Sequence, residues 1–184
     1  METISIHKPK VVVIGSCNTD MVVKANRLPV PGETILGGTF YMNPGGKGAN
    51  QAIAASRLGA EVTFISKIGY DLFGLQALEI YKSEKINTDF IFTDQKSPSG
   101  VALISVDSFG ENSIIVAPGA SRSLSIEDIN KAEEKIKEAD IILMQLEIPI
   151  ETVEYAATIA KKYNKKVILN PAPASTLSNS FLNN

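Results

Sequence analysis

Four short apolar runs punctuate the chain at 11–15 (VVVIG), 62–68 (VTFISKI), 141–146 (IILMQL) and 167–169 (VIL). Each is too short for a helix and rich in β-branched residues, which predicts buried strands. Helical patterns lie between them. The segment QAIAASRLGA after a glycine-rich turn is filled with alanine, leucine and isoleucine, with Gly59 placed as a C-cap. Residues 72–84 form a second helical segment with Asp71 as its N-cap. Ser125-Ile126-Glu127-Asp128 has the shape of a capping box and opens a charged helix to about 139. Residues 150–163 carry an amphipathic pattern.

Two patches break this alternation with strands alone. Residues 20–43 hold MVVKA and ILGGTFYM, split by the turn-forming LPVPGE, and residues 89–117 hold DFIFT, GVALISV and NSIIVA, with a turn at Gly110. Strand–helix alternation predicts an α/β sandwich, a parallel sheet with helices on both faces. The strand-only patches predict a separate small sheet, a lid or dimer surface, within one domain spanning 1–184. No internal repeat or low-complexity tract interrupts the pattern, and the polar STLSNSFLNN at the end reads as frayed.

Composition narrows the function classes. Apolar residues make up 44% of 184, enough for a sizeable core, and the net charge of −2 gives no pull toward nucleic acid or an anionic membrane. Cys17 and His7 are single, so a disulfide, a Cys–His nucleophile pair and a Cys/His zinc cluster are all set aside. His7 reads as a surface residue. No signal-peptide core or spanning segment is present, and the expectation is a cytosolic protein.

Ligands of open parallel sheets collect beyond the carboxyl ends of the strands. There the sequence places Asn18 and Asp20 after the first strand, Glu147 after the third helix-flanked strand, and Asn170 after the last. Carboxylates and amides on one rim suit a polyol, since each exchanges hydrogen bonds with hydroxyls. Asn18 and Asp20 are equally the residues of a tight turn, and Glu147 equally a loop charge. The Gly45-Gly46-Lys47-Gly48-Ala49-Asn50 turn before a helix is the stronger signal, because its backbone can approach a ligand and its free N–H groups favour oxygens. It fits neither the Walker A spacing nor the dinucleotide fingerprint.

Pro44-Gly45-Gly46-Lys47-Gly48-Ala49-Asn50-Gln51-Ala52, then Gly59 and Gly69, is similar in residues and intervals to the N-terminal signature of the ribokinase-like carbohydrate kinases. Gly15-Ser16 with Asn18 and Asp20, Pro31-Gly32-Glu33-Thr34, Met144-Gln145-Leu146-Glu147 and Asn170-Pro171-Ala172-Pro173-Ala174 extend the resemblance from 11 to 174. Within the family the likeness is to the ribose-phosphorylating members. It implies a three-layer α/β sandwich with a β-sheet lid that also forms a homodimer interface. It implies transfer of the γ-phosphoryl of ATP, with Mg²⁺ and a monovalent cation such as K⁺, to the 5-hydroxyl of D-ribose. Asn18, Thr19 and Asp20 would bind sugar hydroxyls, Gly46, Lys47, Gly48, Ala49 and Asn50 would line the other side, and Glu147 would complete the pocket.

The family's Gly-Ala-Gly-Asp turn, which supplies the anion hole and the catalytic base, has no counterpart after Gly119, the last glycine. The resemblance therefore puts the base beyond Asn184. The expectation is an N-terminal portion, carrying no catalytic, cofactor or metal residue of its own and inactive by itself. Two other readings stay open: a family kinase of deoxyribose, another pentose or a nucleoside, and a non-catalytic sugar-binding module.

Overall fold

The computed structural model describes residues 8–178 and 181. His7 lies outside them, so its expected surface position is not part of the described fold. Asn184 lies outside them as well, and with it the expectation of a catalytic base further along than Asn184. Five parallel strands form the main sheet: β1 (Lys10–Ile14), β4 (Glu61–Gly69), β5 (Ile91–Asp94), β8 (Ile141–Met144) and β9 (Lys166–Leu169). Their spatial order is β5-β4-β1-β8-β9, so the first strand is central. A second sheet, ordered β3-β2-β6-β7, is built from β2 (Asn18–Lys24), β3 (Thr39–Gly45), β6 (Gly100–Val106) and β7 (Asn112–Ala117).

Helices cover both faces of the main sheet. On one side α1 (Lys47–Arg57) and α2 (Leu72–Ser83) pack Ala49, Ala52, Ala77 and Tyr81 against Val11, Val13 and Phe64. On the other, α3 (Ile126–Lys131), α4 (Glu133–Glu138) and α5 (Ile150–Lys162) pack Ile129, Ile136 and Val153 against Val12, Ile14 and Ile142. Alternate residues of β1 therefore feed two cores, which is why its run is apolar throughout. The Asp71 cap is present, accepting from the Gly74 N–H at 2.9 Å. The Ser125–Asp128 capping box is present too, but the expected long helix turns at Ala132 into two short ones.

One grouping differs from the sequence reading. The segment 89–94, expected with the small sheet, supplies β5, which pairs parallel with β4 from Ser66↔Ile91 to Gly69↔Asp94. An edge strand shows the same broken apolar pattern as a strand of an exposed sheet, so the pattern alone could not place it. Similarly, Gly37 and Gly38, expected inside a strand, have φ of +105° and +101° and precede β3, while Pro44 and Gly45 belong to it. No helix among the described residues is long and apolar enough to cross a membrane.

Candidate functional site

After β1 the chain runs to β4 and β5 on one side of the sheet, then returns to β8 and β9 on the other. The carboxyl ends of β1 and β8 are thus a topological switch point, where diverging loops leave a crevice. Gly15-Ser16-Cys17 leaves β1 there, and Gln145-Leu146-Glu147 leaves β8.

The first turn of α1 arrives at the same place. A helix start presents unpaired N–H groups and a partial positive charge, and both seek oxygen acceptors. Here the acceptors come from the protein. Glu147 Oε2 accepts from the Lys47 N–H at 2.9 Å and from the Ser16 hydroxyl at 2.5 Å, while Lys47 Nζ lies 2.9 Å from Oε1. The Gly48 N–H donates to Ser16 Oγ at 3.4 Å and the Ala49 N–H to the Ser16 carbonyl at 2.9 Å. The Lys47, Gly48 and Ala49 N–H groups, expected to be free for a ligand, are therefore satisfied internally. Gly46 has φ +88°, and a Cβ on Gly46 or Gly48 would press into the backbone of residues 15–18. These glycines let α1 dock on the β1 exit.

Burial opposes ionisation of Glu147, but the Ser16 hydroxyl, the Lys47 N–H and the Lys47 ammonium outweigh it and hold its carboxyl below the ordinary 4.5. Asp20 is shifted the opposite way. Burial, then the neighbouring Glu147 charge, push its carboxyl above 3.8, against the opposing pull of Lys47. One rim thus holds a carboxylate already committed to the protein and another whose charge lacks full compensation. An uncompensated acceptor is the group that gains most from a donor hydroxyl.

Asn18 and Asp20 lie on β2 rather than in a turn, two residues apart and so on one face. Asn18 is buried, and its Oδ1 has no hydrogen-bond partner. Asn18 pairs in register with Gly100 of β6, where any Cβ would overlap that oxygen.

A cavity of about 430 Å³ opens at this rim, lined by Ser16, Asn18, Lys47, Arg122 and Glu147, with Val116, Pro118, Leu146 and Pro173 as its apolar wall. Positions remote in sequence converge on it: 18, 47 and 147 from the expected set. Asp20 is electrostatically coupled to Glu147 and Lys47 beside it. Others fall elsewhere. Thr19 is on the opposite face of β2 and lines a small cleft with Met42 and Phe73. Ala49 is fully buried against the sheet, and the Asn50 side chain is exposed outside the cavity lining.

The expected site set left out Ser16, Arg122 and the apolar wall of Val116, Pro118, Leu146 and Pro173. Ser16 carried a signal, as a hydroxyl at a strand's carboxyl end. Val116 and Arg122 carried none, because only the folding of β7 and the 3-10 turn at Gly119–Ser123 brings them to the rim. Among the described residues there is no group of three or more His, Cys, Asp or Glu that could hold a metal ion.

Residues 8–182 match the family described as pfkB family carbohydrate kinase. The chain is 46% identical over 170 residues to the ribokinase of Haemophilus influenzae, covering 92% of this chain and 56% of that protein. It is 41% identical over 164 residues to the deoxyribokinase of Salmonella typhi, covering 89% and 54%. The solved structure of Arabidopsis thaliana ribokinase complexed with ribose and ATP superposes with a TM-score of 0.76 at 34% identity, covering 89% of this chain and 53% of that one. The chain spans about half the length of the curated relatives it matches.

Proposed function

We propose, for a chain that belongs to the pfkB family of carbohydrate kinases, that the cavity at the β1–β8 rim holds D-ribose. The whole protein would use ATP to phosphorylate the 5-hydroxyl, giving ribose 5-phosphate. The observation that carries this reading is the convergence of Ser16, Asn18, Lys47 and Glu147 on one cavity at the switch point, with Asp20 beside it. The likeness to named ribokinases, one of them solved with ribose and ATP, supports the choice of sugar and phosphoryl donor.

In this reading Asp20 and Asn18 take the sugar hydroxyls. A charged acceptor contributes about 1.5–3 kcal/mol per hydrogen bond. Glu147 holds the α1 start and Lys47 in place. The small sheet covers the sugar and excludes the water that would compete for the phosphoryl group. Its exposed apolar side chains suit pairing with a second copy. ATP with Mg²⁺, a K⁺ requirement and a cytoplasmic setting belong to the same reading.

The similarity to a deoxyribokinase favours a second reading, 2-deoxyribose as the sugar. Calorimetric titration of the chain with both sugars separates them. Ribose binding at least about tenfold tighter supports the first reading, because a site built for a hydroxyl rejects the analogue lacking it. Equal or reversed affinities support the second, and no heat with either sugar contradicts the site.

A further inference from the structure

The cluster around Asp71 has a role that helix capping does not exhaust. Its Oδ1 accepts from the Gly74 N–H at 2.9 Å and from the Ser99 hydroxyl at 2.7 Å, and its Oδ2 accepts from the Ser99 N–H at 2.7 Å. Ser99 Oγ in turn accepts from the Gly69 N–H at 3.0 Å. One carboxylate thereby ties three segments together: the end of β4, the start of α2 and the residue before β6. Packing around Ser99 is close, since a Cβ at Gly69, Gly74 or Gly119 would run into residues 98 and 99 or the Gly69 carbonyl. The exit of the β6–β7 hairpin joins the same knot, with the Ala120 N–H donating to the Pro98 carbonyl at 2.8 Å.

Ser99 is followed by Gly100, which pairs with Asn18 and packs against its unpartnered Oδ1. Asn18 lines the cavity, and so does Val116 on the strand leaving this hairpin. Fixing Ser99 therefore fixes the backbone against which Asn18 rests and the strand that walls the cavity.

We propose that Asp71 is a positioning residue for the sugar site, setting the orientation of Asn18 through Ser99 and Gly100. The proposal rests on the sugar-binding reading for its consequence in affinity, but not for its effect on Asn18. The two duties of the carboxylate separate chemically. Asparagine is as good an N-cap as aspartate. At position 71 its oxygen can still accept from Gly74, while its NH₂ must face the Ser99 N–H, donor against donor. D71N thus keeps the helix cap and the Ser99 hydroxyl bond to Oδ1, and replaces the Ser99 N–H bond of the clamp with a donor–donor contact. Ser125→Ala, which removes a cap hydroxyl of α3 whose hydrogen bonds are with Asp128 and with no residue of this knot, serves as the structural control.

The experiment measures ribose affinity by titration, and the side-chain amide resonances of Asn18 without ligand, on the chain and both variants. D71N is expected to shift the Asn18 resonances and weaken ribose binding by about tenfold or more, as small misplacements of binding groups do. S125A is expected to lower the unfolding midpoint with both readouts unchanged. Unmoved Asn18 resonances in D71N overturn the proposal, as does wild-type ribose affinity in a D71N whose unfolding midpoint is lowered. If the unsubstituted chain binds no ribose, the sugar reading fails, and the Asn18 resonances alone decide the role of Asp71.

Discussion

The two sheets use similar residues to opposite ends. In the five-stranded sheet Val11, Val12, Val13 and Ile14 are all buried, because helices lie on both faces. In the four-stranded sheet Ile114, Ile115 and Val116 are 52%, 69% and 45% exposed, and Val23, Phe40 and Leu103 are exposed as well. Cross-strand register puts Leu103 beside Ile115 and Val23 beside Phe40, so these side chains share one outward face. A β-branched run therefore marks a strand without saying what covers it. The main sheet is held by two apolar cores. The small one depends on its ladders and on the knot at residues 69–74, 98–100 and 118–120.

Core substitution breaks the comparison most strongly. Phe64 is fully buried and meets Tyr81 edge-on at 5.4 Å. Phe64→Ala is expected to cost about 3–5 kcal/mol in denaturant unfolding, whereas Ile115→Ala should stay within about 0.5 kcal/mol. Similar losses at the two sites would show that the small sheet is covered in solution.

The rim between the sheets gives the next effect. Glu147 is largely buried, but the Lys47 side chain is 38% exposed, so solvent screens part of the pair. Glu147→Gln should cost about 1–2 kcal/mol and weaken ribose binding. Its pH dependence has a definite sign. With the folded carboxyl below 4.5, the stabilisation is complete above that value and is lost as pH falls through the lower folded value. An acid-unfolding curve of E147Q should lose that portion of the wild-type slope.

Asp20 gives the smallest stability change and the opposite sign. A carboxyl raised above 3.8 costs stability while ionised, and the cost disappears as pH falls through the raised value. Asp20→Asn is expected to leave the unfolding midpoint unchanged or raised, while ribose affinity falls roughly 10- to 100-fold. A lowered midpoint with affinity intact would make Asp20 a structural residue.

Sequence made much of the main sheet legible because continuous apolar runs and helix caps are local signals, as at 11–14, Asp71 and Ser125. The allegiance of 91–94 was not legible, since pairing with β4 is a tertiary choice that edge and lid strands do not announce. At the rim, residue types were legible and directions were not. Asn18, Lys47 and Glu147 reach the cavity, yet Thr19 faces away because strand side chains alternate, and that needed the start of β2 to be known. The glycine turn read as a ligand cradle because its N–H groups had no visible partner. The partner of the Lys47 N–H, Glu147, lies 100 residues further on, and those of Gly48 and Ala49 are on Ser16 at the exit of β1.

Everything functional depends on the rim cavity being a sugar pocket. Titration of the isotope-labelled chain with D-ribose, followed through backbone amide resonances, tests this directly. The account predicts saturable shifts concentrated at Ser16, Asn18, Asp20, Lys47 and Glu147, with the surface around Arg57 and Glu84 unmoved. Saturable shifts centred elsewhere, or none up to high ribose concentration, would contradict it.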